Sequence, residues 1–164
     1  MDSLPSEAAS TSVLFVCLGN ICRSPLAEGI FKHLVDGDGL TDEFVIDSAG
    51  TGAWHVGESA DGRMMVVAER NGITLTSRAR QVTAEDLDHF DYVIAMDRSN
   101  LEDLQRMVDL SGADVSLHLL REFDPENDGD EVPDPYYGGS TGFEHVYKIV
   151  HRSCQAFLEH LKAA

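Results

Sequence analysis

Two side chains near the start of the chain have the types and the spacing of a nucleophilic site for anions. Cys17 and Arg23 are separated by five residues, and Ser24 and Pro25 follow directly. A five-residue bridge can curl so that successive backbone N–H groups cradle an anion, and a guanidinium offers a planar fork for two phosphate oxygens. The same groups, with the Ser24 hydroxyl, would stabilise a thiolate at Cys17. The segment therefore predicts a phosphate-binding loop that contains a nucleophile.

The predicted phosphate-binding loop consists of Leu18, Gly19, Asn20, Ile21, Cys22, Arg23 and Ser24. Gly19 permits a backbone conformation closed to other residues, and Asn20 tolerates a left-handed one. Leu18 is expected to face the opening of the site. The segment is not an ATP-binding glycine-rich loop, which requires Gly-Lys before Ser or Thr, nor a dinucleotide fingerprint, which requires three spaced glycines.

A long acidic segment, 122–141, is the candidate source of a general acid. Loops of this length inside a compact domain are often functional, and a carboxyl group on a separate loop could protonate a departing group. The candidates are Asp124, Asp128, Asp130 and Asp134. Asp134 is distinguished by Pro133 and Pro135, which stiffen the chain on both sides.

The elements that must position these groups alternate between strands and helices. Short apolar runs predict strands at 13–17, 44–48, 92–95 and 115–119. Apolar residues at helical spacing predict helices at 24–37, 60–70, 99–110 and 142–162, with a short helix after Thr83. Ser24 is expected to cap the first helix, with Pro25 at its first position. The alternation predicts a single-domain α/β fold: a doubly wound four-stranded parallel sheet flanked by helices, with the phosphate-binding loop after strand 1.

The composition predicts a soluble globular domain. Hydrophobic residues make up 43% of the chain, and no apolar run approaches the length of a membrane span. Residues 1–12 are small, polar and acidic, without the basic start and apolar middle of a secretory signal. We therefore expect a disordered tail at 1–12, one domain at 13–164 and a cytoplasmic location. The three cysteines form an odd number, which argues against a secreted disulfide scaffold.

The net charge of −17 arises from 29 acidic residues against 12 Lys and Arg. Such a field would repel nucleic acids and anionic membranes, so neither is expected as a partner. A well-solvated surface accounts for this acidity, and adaptation to high salt is a sharper hypothesis because screening reduces self-repulsion. Thermal melting with and without molar KCl tests that hypothesis. The His and Cys residues show no metal-ligand spacing, so neither a metal nor a cofactor is expected.

The run CLGNICRSPLAE at 17–28 resembles the signature of the low-molecular-weight protein tyrosine phosphatases. The similarity covers nearly all of the chain after the tail and includes DSAGT at 47–51, ARQ at 79–81 and DPY at 134–136. The resemblance implies hydrolysis of phosphotyrosine and aryl phosphates. Proteins that contain phosphotyrosine would be the substrates, inorganic phosphate or vanadate would inhibit, and a monomer is expected.

The resemblance also implies roles for the candidate residues. Cys17 would attack phosphorus to give a cysteinyl phosphate, and Asp134 would protonate the leaving oxygen and later activate water. Arg23 and the loop amides would hold the equatorial oxygens. Aromatic walls for a flat phosphorylated ring are expected from Trp54, Tyr136 and Tyr137.

Support for the loop is expected from Asn20, with help from Ser48, as the resemblance implies. Some family members carry a histidine bonded to that asparagine where this chain has Ser77. A serine is shorter, so the support is expected to be weaker or differently arranged. Among the histidines, His55 is expected near the cleft.

Two cysteines remain besides the predicted nucleophile. Cys22 either packs or forms a disulfide with Cys17 on oxidation, which would protect the nucleophile from irreversible damage. The resemblance favours the disulfide. Cys154 lies at helical spacing with Val150 and Phe157, so it is expected in the core.

Three rival functions can be weighed on the sequence. An arsenate reductase with this loop needs further cysteines in the middle of the chain, and segment 76–87 contains none. Protein arginine phosphatases of the same fold typically have threonine at the position of Ile21, so Ile21 favours tyrosine. A non-catalytic phosphotyrosine-binding module would usually have lost Cys17, Arg23 or Asp134, and all three are present.

Overall fold

A parallel β-sheet lies at the centre of the molecule. The computed structural model describes residues 10–135 and 140–164, and within them the sheet has four strands: β1 Thr11–Cys17, β2 Phe44–Gly50, β3 Tyr92–Ala95 and β4 Ser116–Leu119. The strand order is β2-β1-β3-β4, and each neighbouring pair is parallel. The carboxyl ends of the strands therefore lie at one edge of the sheet, where Cys17 is in register with Gly50.

Helices cover both faces of this sheet. They are α1 Arg23–Gly37, α2 Gly62–Arg70, α3 Ala84–His89, α4 Arg98–Ser111 and α5 Ser140–Ala163. Because successive side chains of a strand point to opposite faces, Phe15 of β1 packs with residues of α1, α2 and α5, whereas Leu14 packs with residues of α3 and α4. The predicted doubly wound α/β fold is confirmed. Within the described ranges, no helix is long and apolar enough to cross a lipid bilayer.

Strand β1 begins at Thr11, two residues earlier than predicted. The backbone N–H and the hydroxyl of Ser12 both donate to Asp91 Oδ2, at 2.9 and 3.1 Å, and these bonds hold the start of the strand beside β3. Such a contact joins residues far apart in sequence, so the local pattern could not show it. Most of the predicted tail, residues 1–9, lies outside the described residues.

Helix α1 begins differently from the prediction. Cys22, not Ser24, occupies its N-cap position, and Arg23 is its first residue. Pro25 is therefore the third helical residue instead of the first, which is tolerated because N–H groups in the first turn have no intrahelical partner. The predicted cap was wrong because the Ser24 hydroxyl is used inside the phosphate-binding loop.

Candidate active site

The sulfur of Cys17 lies where the loop and the start of α1 meet. Cys17 is the last residue of β1 and is buried, with 3% of its surface exposed. The backbone N–H of Asn20 donates to its Sγ atom at 3.3 Å, and the Ser24 hydroxyl lies 3.0 Å away. The positive end of the α1 dipole adds to these donors. The predicted surroundings for a thiolate are therefore present around this sulfur.

Asn20 orients the Ser24 hydroxyl. Its Nδ2 group donates to Ser24 Oγ at 2.7 Å and to Ser48 Oγ at 3.0 Å, and its Oδ1 atom accepts from the backbone N–H of Arg80 at 3.0 Å. Ser24 Oγ accepts from Asn20, and its hydroxyl hydrogen has two possible acceptors, Cys17 Sγ at 3.0 Å and the carbonyl oxygen of Ala49 at 3.4 Å. The predicted organising contacts of Asn20 and Ser48 are present.

Asn20 adopts the left-handed conformation that the sequence analysis said it tolerates, with a φ of 58°, whereas Gly19 does not use the positive-φ region that glycine permits. A Cβ atom on Gly19 would stand 3.0 Å from the Cδ2 atom of His55. Glycine is favoured here by the close approach of that ring rather than by its backbone freedom, and the ring comes from a different part of the chain.

Ser77 takes no part in supporting the loop through Asn20 among the described hydrogen bonds. The support runs through Glu28 instead, whose Oε1 atom accepts from Ser48 Oγ at 2.6 Å and whose Oε2 atom accepts from Lys32 Nζ at 2.6 Å. Sequence reasoning missed Glu28. The available signal was an acidic side chain on the buried side of an amphipathic helix, since Glu28 is only 5% exposed.

Arg23 lies beside Cys17 and is held there by several contacts. Its Nη1 group donates to Asp97 Oδ2 at 2.8 Å and to the carbonyl oxygen of Val132 at 2.9 Å, and its Nη2 atom lies 3.6 Å from Asp134 Oδ2. Burial acts to lower the pKa of Arg23, but the charge of Cys17 and the bond to Asp97 outweigh it, so the pKa lies above its ordinary value. The guanidinium therefore remains charged inside the site.

Asp97 is a site residue that sequence reasoning missed. It follows β3 directly and caps α4, because its Oδ1 atom accepts from the backbone N–H of Asn100 at 2.8 Å. The signal was available in principle: a capping aspartate at the carboxyl end of a strand next to β1 must lie at the same edge of the sheet as Cys17. The sequence does not reveal the strand order that this inference requires.

The four candidate aspartates differ in their location relative to the cavity above the loop. Asp124 has a fully buried carboxylate that accepts from two arginines, and Asp128 pairs with the same two. Asp130 pairs with Arg98. Asp134 lines the cavity above the loop, so it is the candidate that the fold brings to Cys17.

The cavity above the loop has a volume of about 420 Å³, which is within the range of small-molecule sites. Leu18 and Trp54 stand at its rim, 42% and 71% exposed, and His55 lies near them as expected. The residues that line the cavity are Cys17, Leu18, Gly19, Ile21, Cys22, Arg23, Trp54, His55 and Asp134. The other two predicted wall residues, Tyr136 and Tyr137, lie outside the described residues.

All three cysteines are free thiols. Cys22 lines the cavity together with Cys17, and burial, Asp61 and Cys17 raise the pKa of the Cys22 thiol. Cys154 is fully buried in α5, as expected, and burial raises the pKa of its thiol too. Among the described residues, no group of three or more His, Cys, Asp and Glu side chains is arranged to hold a metal ion.

The fold and the cavity define a class: an α/β protein with a buried cysteine and a buried arginine in one loop at the carboxyl edge of its parallel sheet. The model of the low molecular weight phosphotyrosine protein phosphatase family matches residues 12–164. The chain belongs to this family, as its resemblance indicated.

Individual relatives agree with this assignment. The chain is 44% identical to the low molecular weight phosphotyrosine protein phosphatase of Sus scrofa over 158 residues, which cover 96% of this chain and 99% of the relative. The crystal structure of a protein tyrosine phosphatase from Entamoeba histolytica superimposes with a TM-score of 0.87 at 38% identity, covering 94% and 98%. DARP, a Drosophila arginine phosphatase, has a TM-score of 0.87 at 37% identity, covering 92% and 97%.

Proposed function

We propose that this phosphatase hydrolyses phosphotyrosine in proteins through two displacements at phosphorus, with Cys17 as the nucleophile. The observation that carries the proposal is the position of Cys17 Sγ: it faces two hydrogen-bond donors at the base of a cavity that Arg23 and Asp134 also line. A sulfur placed in this way reacts as a thiolate. The oxyanion that it attacks is held by the same loop.

In the first displacement, the Sγ atom of Cys17 forms a bond to phosphorus while the bond from phosphorus to the phenolic oxygen breaks. Asp134, protonated at this stage, transfers its proton to the departing oxygen. Arg23 and the loop amides bind the equatorial oxygens, and this electrostatic stabilisation of the transition state supplies the largest share of the acceleration. The products of the step are a cysteinyl phosphate and a free tyrosine side chain.

In the second displacement, water attacks the cysteinyl phosphate. Asp134, now a carboxylate, takes a proton from that water, and the sulfur of Cys17 leaves as a thiolate. Inorganic phosphate is released, and the enzyme returns to its starting protonation state. Because inorganic phosphate and vanadate present oxygens like those of the substrate's phosphoryl group, both are expected to inhibit competitively.

The preference for an aryl substrate rests on the apolar rim. Trp54 and Leu18 flank the cavity mouth, and a flat ring can pack against both. Tyr136 and Tyr137 are proposed as the remaining walls. Ile21, which also lines the cavity, offers no polar contact to a guanidinium, so phosphotyrosine is favoured over phosphoarginine. We also propose that the protein acts as a monomer in the cytoplasm on phosphoproteins, without a cofactor.

An arsenate reductase function is disfavoured by the positions of the thiols. Such an enzyme must pass the oxidation from one cysteine to others, and Cys154 is enclosed in the core while segment 76–87 contains no cysteine. Only Cys22 shares the cavity with Cys17. This arrangement suits a single protective disulfide between Cys17 and Cys22 better than a relay.

Steady-state kinetics with four substrates test the proposal. A phosphotyrosine peptide, an aryl phosphate, phosphoarginine and arsenate are compared for the wild type and Cys17→Ser. We expect turnover of the first two by the wild type and none by the variant. Residual turnover by Cys17→Ser would remove the nucleophile assignment, and a preference for phosphoarginine would replace the substrate class.

The role of Asp134 is tested separately with Asp134→Ala. Loss of the acid should lower activity most for aryl phosphates whose phenol is a poor leaving group, because these need the proton most. General acid–base catalysis is typically worth about 10²–10⁴-fold, so a loss in that range is expected for the poorest leaving group. Equal losses across the series would contradict the assignment.

A further inference from the structure

The loop that carries Asp134 has no regular structure of its own. Between the short 3₁₀ turn Leu120–Phe123 and the start of α5, the described residues 124–135 form neither a helix nor a strand. Yet Asp134 must reach the cavity to within a fraction of an ångström for proton transfer, since a misplacement of about 1 Å can cost about 10²-fold in rate. Something other than secondary structure must hold this loop.

One end of the loop is fixed at the sheet. The backbone N–H of Val132 donates to the carbonyl oxygen of Met96 at 2.8 Å, and the carbonyl oxygen of Val132 accepts from Arg23. Val132 is itself only 1% exposed. These contacts place the residue two positions before Asp134, but they depend on the preceding segment closing in the correct register.

The Arg121 side chain bridges the two ends of that segment. Its guanidinium bonds to both ends: Nε donates to Asp124 Oδ2 at 2.9 Å, and Nη1 donates to the carbonyl oxygen of Glu131 at 3.0 Å, directly before Val132. Its Nη2 group bonds to Asp128 in between. Only 6% of the Arg121 side chain is exposed.

The backbone of the loop passes close to this guanidinium at Gly129. Gly129 has a φ of 151°, and a Cβ atom there would stand 3.0 Å from Nη1 of Arg121. The chain therefore passes so close to the arginine that a side chain at position 129 would displace the guanidinium by a few tenths of an ångström. A planar group with five donors suits this task, because it can satisfy several acceptors in one plane.

We infer that Arg121 is a positioning residue for the general acid: it ties residues 124 and 131 together and so delivers Asp134 to the cavity. The inference rests on the proposed role of Asp134. Arg121 does not line the substrate cavity and does not bond to Cys17, so its largest effect is expected on the steps in which Asp134 moves a proton.

Arg152 of α5 offers a matched control. It bonds to the same two carboxylates, with Nε 2.9 Å from Asp124 Oδ1 and Nη2 3.3 Å from Asp128 Oδ1. It makes no bond to the backbone carbonyl of Glu131 among the described contacts. Arg152→Met therefore removes comparable ion pairs without releasing the end of the loop that leads to Asp134.

The experiment measures kcat/KM for a series of aryl phosphates whose phenols differ in pKa. Wild type, Arg121→Met, Arg152→Met and Asp134→Asn are compared, with vanadate inhibition as a check on the phosphate-binding loop. Arg121→Met leaves Asp124 paired with Arg152, so the buried carboxylate keeps a partner. If Arg121→Met does not fold, Arg121→Lys is used, which keeps the charge but cannot reach all three acceptors.

For Arg121→Met we expect kcat/KM to fall by about tenfold to a hundredfold for the poorest leaving group, and by much less for the best one. The plot of log kcat/KM against leaving-group pKa becomes steeper, while vanadate inhibition is unchanged. A purely structural role would lower kcat/KM by the same factor for all substrates and leave the slope as in the wild type. Arg152→Met should give a line parallel to the wild type.

The outcomes separate the inference from the proposed function. If Asp134→Asn leaves the slope unchanged, the assignment of the acid fails and the inference fails with it. If Asp134→Asn steepens the slope and Arg121→Met does not, only the inference is overturned. If Arg121→Met and Arg152→Met steepen it equally, the contact to Glu131 is not responsible and the assignment to Arg121 is wrong.

Discussion

Replacing Asn20 tests how its side-chain hydrogen bonds contribute to stability and to the orientation of Ser24 beside Cys17. Asn20→Ala removes the bonds to Ser24, Ser48 and the backbone of Arg80, each of which contributes about 1 kcal/mol net. Alanine at a φ of 58° adds about 1 kcal/mol of backbone cost. The sum is about 4 kcal/mol, which approaches the whole stability of a marginal domain at about 5 kcal/mol. Asn20→Gly loses the same bonds without the backbone cost, so we expect about 3 kcal/mol.

Activity should fall in both Asn20 variants. Without the Nδ2 donor, the Ser24 hydroxyl is free to turn from Cys17 Sγ, and a hydrogen bond to a charged group is worth about 1.5–3 kcal/mol. The corresponding loss in kcat/KM is about tenfold to a hundredfold. Urea unfolding gives the stabilities, and hydrolysis of an aryl phosphate gives the activity.

Asn127 supplies the control for the backbone. It also has a positive φ, at 53°, but it is exposed and its side chain makes no hydrogen bond among the described contacts. Asn127→Ala should therefore cost only about 1 kcal/mol and leave kcat/KM unchanged. Wild-type stability and activity in Asn20→Gly would refute the reasoning, because the loop would then need only the left-handed backbone and not the side-chain bonds.

Three further changes have defined outcomes. Asp97→Asn keeps the helix cap but weakens the bond to Arg23, so kcat/KM should fall by about tenfold. Thermal unfolding should shift to lower temperature, because the buried Arg23 loses a charged partner; an unaltered kcat/KM would contradict this role. After treatment with peroxide, the wild type should recover activity in dithiothreitol and Cys22→Ser should not. The thiolate of Cys22 is the form that closes the disulfide with oxidised Cys17. Burial raises the pKa of this thiol, so little thiolate is present near neutral pH and the protective disulfide should form faster at higher pH. Equal recovery of both proteins at every pH would count against it. Burial acts to raise the pKa of Asp124, but bonds from arginines and a backbone N–H outweigh it and lower that pKa below its ordinary 3.8. Its contribution to stability is therefore present at neutral pH and is lost as pH falls through the lowered value, and Asp124→Asn should be less stable by about 3 kcal/mol at neutral pH with a flatter acid dependence in urea unfolding.

The elements and the nucleophilic loop could be predicted because their signals are local. Apolar runs of period two and period 3.6 mark strands and helices within windows of a few residues. The spacing of Cys17 and Arg23, and the proline beside Asp134, are likewise short-range features. These signals were enough to predict an oxyanion loop at the carboxyl end of β1.

The errors lie where a side chain had two possible partners. Ser24 has the residue type of an N-cap, but its hydroxyl bonds to Cys17 and Asn20. Gly19 and Asn20 both permit a left-handed backbone, and of the two only Asn20 adopts it. Intrinsic propensity describes the conformations and capping roles that a residue type favours, and tertiary contacts decide which of them the residue adopts in the fold.

By itself, the amino-acid sequence determined the α/β architecture and the placement of Cys17 and Arg23 in one loop after β1, because both follow from patterns within a few residues along the chain. Only the tertiary structure selected Asp97 as a partner of Arg23 and placed Asp134 beside Arg23 in the cavity, whereas the other three candidate aspartates pair with arginines outside it. Arg23 and Asp97 are 74 residues apart, and they meet because β1 and β3 are neighbours in the sheet. Which charges neutralise one another therefore depends on the strand order, which no local pattern contains.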